Sequence, residues 1–169
     1  WHQRSQNQAF DRNGAYAASG SVHQNLLDQL LKDPYFAQRP PKSTGREYFS
    51  QSWLQQTLDQ LAPISAADVQ ATLNQLTATL VHQALPEEVD ILVVCGGGVH
   101  NTHLMDALDN TVDPLVVTSD AFAIDPDFVE AACFGWLGLQ CVDGQPLATT
   151  LITGSAAPGV LWSIIQPTK

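Results

Sequence analysis

Residues 90–101 read DILVVCGGGVHN. Five apolar residues, Ile91 to Cys95, run straight into Gly96, Gly97 and Gly98, and an amphipathic segment begins beyond Asn101. A short apolar run rich in β-branched side chains and closed by turn residues reads as a buried strand. The segment that follows reads as a helix with Asn101 as its N-cap. A strand that hands over to a helix through three residues without side chains leaves two options. Either the chain makes an extreme turn there, or another group lies against bare main chain.

The rest of the pattern surrounds this junction. Residues 1–24 read as irregular or weakly helical. Leu26, Leu27, Leu30 and Leu31 then share a helical face that Pro34 ends. The stretch 39–49, RPPKSTGREYF, is a loop, because prolines, a glycine and charges interrupt it. Trp53, Leu54, Leu58 and Leu61 repeat at helical spacing over 52–61. The longest periodic segment is 65–85: Val69, Leu73, Leu76 and Leu80 form one stripe, and Pro86 stops it. Ser65 with Asp68 makes a capping-box-like start. Beyond it come a strand at 90–95, a short helix at 102–109, a second strand at 114–120 and a helix over 125–142. Asp125 caps that last helix, with Pro126 at its first position. Gly144 and Pro146 break the chain, and 152–167 reads as a glycine-containing turn and a short apolar piece. A mainly helical part at 1–86 followed by a β-α-β-α part at 87–169 predicts an α/β domain with a small sheet. Trp53, Trp136 and Trp162 are expected in the core, Trp136 bracing the last helix against the sheet.

Charge removes two classes of partner. Seventeen acidic residues against seven Lys and Arg give a formal net charge of -10. Nucleic-acid binding needs clustered cations, and an anionic membrane surface attracts basic segments, so neither partner is expected. No apolar run approaches the length of a membrane span, and no signal-peptide pattern opens the sequence. The expectation is a soluble cytoplasmic protein. Cys95, Cys133 and Cys141 lie in apolar runs, and an odd number without metal spacing predicts reduced, buried thiols. His82, His100 and His103 lack a completing ligand at metal spacing, so no metal site is predicted. The chain is about one domain long, and its first residue is Trp1 rather than Met, which reads as a piece of a longer protein.

The glycine junction is the chemistry-bearing feature. A helix start presents N–H groups and a positive dipole end, and with bare backbone before it this suits a nucleotide's phosphate or its flat adenosine moiety. The alternative is a tight strand-to-helix turn with no ligand. A P-loop is excluded, since no Gly-Lys-Ser/Thr follows. A dinucleotide-binding oxidoreductase domain stays open: Gly96-x-Gly98 starts its fingerprint, and Asp120 ends the next strand where a ribose-binding acid sits. Against it, Asn101 stands at the third glycine position, and some 90 mainly helical residues precede the strand.

Three segments carry a family resemblance: CGGGVHNTHLMDAL, TSDAFAIDPDFVEAACFGWLG and, upstream, DPYFAQRPPKSTGREYF. Together they resemble the C-terminal half of anhydro-N-acetylmuramic acid kinases, of the sugar-kinase/Hsp70/actin superfamily, from Trp1 to about Pro167. The runs Lys42–Glu47 and Gly96–Asn101 are its most specific parts. The resemblance implies the C-terminal domain of an actin-like ATPase (ribonuclease H-like) fold, a small mixed sheet flanked by helices, filling 1–169. It implies ATP resting on Gly96, Gly97, Gly98 and Asn101, Mg2+, and an amino-sugar substrate, 1,6-anhydro-N-acetylmuramic acid. Phosphorylation with hydrolytic opening of the anhydro ring would give N-acetylmuramic acid 6-phosphate for cell-wall recycling, by in-line transfer as two domains close. The family's Gly-Thr-Ser-x-Asp-Gly phosphate motif and its general-base Asp in Asp-Thr-Gly-Pro-Gly-Asn are not in this sequence and would lie before Trp1. The chain alone is therefore expected to be inactive, with its own N-terminal domain as partner; the family also tends toward dimers. A third reading is a non-catalytic interaction or sensor domain that keeps the fold.

Other residues carry paired readings. Glu130 shares a helical face with Cys133, Phe134 and Leu137, and a carboxylate on an apolar stripe is costly unless paired or used. The resemblance makes it a substrate contact; the alternative is charge placement at a helix N-terminus. Asp120 and Asp125 follow strand ends, on the side where ligands gather. Asp125 is already explained as a cap, and Asp120 remains a substrate-side candidate. Lys42 and Arg46 either meet phosphate, substrate or another domain, or belong to a structural loop.

Overall fold

The computed structural model describes residues 1–45 and 47–161. Its N-terminal part consists of two short helices, α1 (His2–Gln6) and α2 (Ala15–Ala18), with a 3-10 turn at Arg12–Gly14 between them. Three longer helices follow, each capped by a side chain. In α3 (Gln24–Leu30) the His23 ring accepts from the Leu26 N–H at 3.2 Å. In α4 (Gln51–Leu58) Ser50 accepts from the Trp53 N–H at 3.4 Å. In α5 (Ala66–Ala84) Ser65 accepts from the Asp68 N–H at 3.1 Å, the start expected from the sequence. Such caps satisfy N–H groups that the helix itself cannot.

The core sits among these helices. Leu26, Leu27, Leu30, Leu54, Val69 and Leu76 form a buried cluster, with Trp53, Leu73 and Leu80 partly buried against it. The predicted leucine stripe of α5 faces this cluster. A second side of α5, Ala71, Thr72, Asn74 and Ala78, is buried as well, and α5 contacts both α2 and α6 (Thr102–Asp109) in addition to α3. Thr72 illustrates how its polar groups are met: its hydroxyl donates to the Asp68 carbonyl at 2.7 Å and accepts from the His23 N–H at 2.9 Å.

Among the described residues the sheet has two strands, β1 (Ile91–Val94) and β2 (Leu115–Thr118), paired in parallel with Ile91 opposite Leu115 and Val94 opposite Thr118. The crossover between them carries α6, as a parallel pair requires. The expected sheet was mixed. The two strands are parallel, and the one antiparallel pairing among the described residues is an isolated bridge between Leu147 and Gly159. The first strand was also expected to be buried. Instead Ile91 and Val93 are each 43% exposed and Leu115 is 60% exposed. Side chains alternate across a strand, so one face of β1 is half-covered while the other, among the described residues, lacks a covering layer.

The last long helix repeats that departure. A 3-10 turn at Pro126–Phe128 leads into α7 (Val129–Val142), which contains no buried residue, and α8 (Thr150–Thr153) follows. Trp136, expected to brace this helix against the sheet, is 52% exposed. Cys95 and Cys133 are exposed and Cys141 is half-buried, all three free thiols, so the expected burial is absent. The reason is shared: apolar composition drives burial only as far as another element supplies a surface, and what lies against α7 leaves each of its residues exposed or partly covered rather than buried. Trp162, Arg46 and the end of the predicted piece at 152–167 lie outside the described residues.

Candidate functional site

The glycine junction folds as a loop that leaves β1 and enters one 3-10 turn, Gly97–His100, before α6. Gly96 has φ 76° and ψ -177°, a conformation essentially reserved for glycine. Its N–H donates to the Pro126 carbonyl at 2.9 Å, which ties the loop to the turn ahead of α7. Gly97 and Gly98 are different. A Cβ built on Gly97 would meet nothing within 4 Å, and one on Gly98 would meet only a Leu104 methyl at 3.8 Å. Packing among the described residues therefore does not demand two of the three glycines. Their bare backbone faces open space, and their N–H groups have no acceptor among the described residues.

That space is a cavity of about 590 Å³ between Gly97, Gly98, His100 and Asn101 on one side and Phe10–Asn13 on the other. The second wall comes from a segment almost ninety residues upstream and was not singled out in the sequence. Asp11 anchors it: its two carboxylate oxygens accept from the Tyr16 and Ala17 N–H groups, each at 2.9 Å. The Thr102 hydroxyl donates to the Asn13 carbonyl at 3.0 Å and joins the two walls. Asn13 and Gly14 both adopt left-handed backbone, with φ 55° and 69°. Gly14 is buried, and a Cβ there would overlap the Asn101 side chain and stand 2.6 Å from the His103 Cβ. Glycine is needed at 14 for both its φ and its lack of volume. The residue pair Asn13-Gly14, a left-handed turn signature, is the signal that could have marked this segment.

Asn101 lines the cavity and also caps α6, accepting from the Leu104 N–H at 3.0 Å. His100 lies beside it and is engaged elsewhere: its Nε2 is 3.0 and 3.1 Å from the two carboxylate oxygens of Asp127. Sequence reasoning missed Asp127. It did foresee Asp125 as a cap, and that carboxylate accepts from the Asp127 N–H at 3.0 Å. The glycine loop is thus clamped to the segment ahead of α7 by one main-chain bond and one imidazole–carboxylate contact.

Glu130 and Asp120 do not line the cavity. Glu130 is exposed at the start of α7, three residues beyond Asp127, and its helical face is not buried. The burial cost expected of that carboxylate is absent. Asp120 is exposed in a 3-10 turn after β2, where it accepts from the Thr118 hydroxyl. Lys42 takes the structural reading. Its Nζ donates to the carbonyls of Tyr35 and Phe36 at 3.2 and 3.1 Å and stands 4.8 Å from the centre of the Tyr35 ring. Beside it, Asp33 accepts from the Trp53 indole at 2.7 Å, the Tyr48 hydroxyl at 2.9 Å and the Tyr35 N–H at 2.9 Å. Partial burial pushes the Asp33 pKa up, but these three donors outweigh it and hold the carboxyl below its ordinary value.

The sequence profile of the family described as anhydro-N-acetylmuramic acid kinase matches residues 1–167. A protein of that name from Pseudomonas syringae pv. tomato is 42% identical over 168 residues, which cover 97% of this chain and 46% of that protein. One from Xylella fastidiosa is 43% identical over 168 residues, covering 97% and 44%. One from Xanthomonas oryzae pv. oryzae is 45% identical over 169 residues, again covering 97% and 44%. The chain spans about half the length of the curated relatives it matches. With nearly its whole length matched at this level of identity, the chain belongs to the anhydro-N-acetylmuramic acid kinase family.

Proposed function

We propose that these residues form the adenosine-binding second domain, actin-like in fold, of a two-domain kinase. The enzyme uses ATP to phosphorylate 1,6-anhydro-N-acetylmuramic acid while water opens the anhydro ring. The observation that carries the reading is the glycine loop: side chains are missing at Gly97 and Gly98 where the chain's own packing does not require it, and the bare backbone faces a cavity. A volume of about 590 Å³ falls within the range of small-molecule sites. Gly96, Gly97, Gly98 and Asn101 hold the nucleotide, and Gly96 gives the loop its path. When bound, ATP supplies the phosphoryl group. Opening a 1,6-anhydro bridge with water breaks the C1–O6 bond and leaves O6 to take that group, giving the 6-phosphate. Glu130 and Asp120 face the amino sugar, and the general-base Asp is assigned to the part of the relatives' length that this chain does not span.

The uncovered apolar surface supports a domain partner. The outer face of the sheet (Ile91, Val93, Leu115) and Trp136, Leu139 and Val142 of α7 are large apolar side chains left exposed, a grouping that marks an interaction surface. We assign the N-terminal domain of the same protein to part of this surface. Within the chain, 1–86 is the helical part and 87–169 the nucleotide-binding part. Among the described residues no three His, Cys, Asp or Glu side chains gather as a metal site, so Mg2+ is given no ligand in this chain and no step is derived through it. Nor is any described helix long and apolar enough to cross a membrane. The enzyme is assigned to the cytoplasm, as a dimer.

The experiment is an assay of the full-length protein with ATP and anhydro-sugar, alongside the 169-residue chain alone. The full-length protein is expected to release N-acetylmuramic acid 6-phosphate, and the shorter chain to turn over nothing. Turnover by the chain alone at the full-length rate would refute the division of labour; binding of NAD in preference to ATP would refute the kinase reading.

A further inference from the structure

We propose that Phe10 and Arg12 form the second wall of the nucleotide site, Phe10 as the platform for the purine and Arg12 as the cation that meets the phosphates. The inference rests on the nucleotide reading above and adds two residues to it. Phe10 is 63% exposed and lines the same cavity as the bare glycines. The Arg12 guanidinium lies over that ring, 5.7 Å from its centre. A guanidinium on one face of an aromatic ring holds it by cation–π attraction and leaves the other face for a flat ligand. Bases stack on such platforms, and a purine slotted between the Phe10 ring and naked main chain would be gripped on both faces.

Charge points the same way. The chain has a formal charge of -10, so a triphosphate meets general repulsion and needs a local cation. Among the described residues Arg12 is the one Lys or Arg in the cavity lining. The other basic group there, His100, is engaged by Asp127. Asp11, the acid in this wall, accepts from the N–H groups of Tyr16 and Ala17, and among the described residues it makes no ion pair with Arg12. The wall is also fixed in place before any ligand arrives, through the Thr102–Asn13 bond and the close approach of Gly14 to Asn101. A preorganised wall does not lose loop entropy on binding.

The test is calorimetric titration of the full-length protein with adenosine, AMP and ATP. Phe10→Ala is expected to weaken all three by about tenfold or more, the loss typical of a removed stacking contact, whereas Phe10→Tyr keeps wild-type affinity. Arg12→Gln is expected to weaken ATP by about tenfold at low salt and adenosine by less than twofold, with the ATP loss shrinking as salt screens the charge. Both side chains are exposed, so the variants should keep the wild-type melting temperature and near-ultraviolet circular dichroism. Wild-type adenosine and ATP affinity in Phe10→Ala overturns the platform. Wild-type ATP affinity in Arg12→Gln at low salt overturns the cation. A wild-type protein that binds no adenine nucleotide sinks the nucleotide reading itself, a different result from either.

Discussion

Gly97 separates a glycine kept for folding from one kept for a ligand. Its φ lies outside the left-handed region, and a Cβ there would meet nothing within 4 Å. Replacing a glycine by alanine where the backbone permits it stabilises a protein by about 0.4–1 kcal/mol, because the unfolded chain loses freedom. Gly97→Ala should therefore raise the melting temperature slightly or leave it unchanged. Binding should move the opposite way. A ligand atom resting on this main chain sits about 3.5 Å away, and a new Cβ stands about 1.5 Å nearer to it than the Cα does. The overlap cannot be relieved without lifting the nucleotide off the loop. Gly97→Val enlarges the obstruction at a position where the Cβ itself meets nothing within 4 Å. We expect ATP affinity to fall at least about 100-fold, which corresponds to about 2.7 kcal/mol. The assay is calorimetric ATP titration and thermal melting on the same full-length preparations. If Gly97→Val melts like wild type and still binds ATP at wild-type affinity, no nucleotide lies on this backbone and the site has been misread.

Three further outcomes follow from the geometry. Gly14→Ala should destabilise by roughly 2–5 kcal/mol, since the left-handed backbone disfavours a Cβ by about 1–2 kcal/mol and overpacking against Asn101 and His103 adds about 1–3 kcal/mol; a denaturant midpoint equal to wild type would contradict it. Thr72→Val keeps the shape but leaves the His23 N–H without its acceptor, at a cost of about 1–3 kcal/mol for an unmet buried donor, read from urea unfolding. Asp68 accepts from the Ser21 N–H at 2.7 Å, and that bond with the Ser65 hydroxyl holds its pKa low; the Asp33 pKa is also lowered. A depressed folded pKa contributes stability above the unfolded value, about 3.9, that is lost as pH falls through the folded value. Melting temperature measured from pH 6 downward should therefore drop more steeply below about pH 4 in the wild type than in Asp68→Asn; parallel curves would count against the assignment.

Local chemistry was legible in the residues because it acts over a few positions. Ser65, Asn101 and Asp125 each cap the turn they precede, and the apolar run at 91–95 followed by glycines gives a strand and a turn into a helix. The leucines at 26, 27 and 30 announce a buried face by spacing alone, and all three are buried. The three glycines also marked the place where main chain lies bare, although not which of them the fold itself needs. Only the three-dimensional arrangement separates Gly96, held by its backbone conformation, from Gly97, which borders empty space.

Whatever depends on what lies across a gap had to come from the tertiary structure. Hydropathy records how strongly a side chain avoids water but not whether a partner surface exists, and so Ile91, Val93, Trp136, Cys95 and Cys133, all in apolar runs of the sequence, stand exposed. Charge spacing likewise made Lys42 a candidate for phosphate, and folding turned it onto two carbonyls. The wall at Phe10–Asn13 meets the glycine loop only because the left-handed turn at Asn13 and Gly14 brings it against Asn101 across almost ninety residues. Sequence dictates each turn and cap through neighbours along the chain; the cavity exists only where distant segments converge, and packing alone decides that.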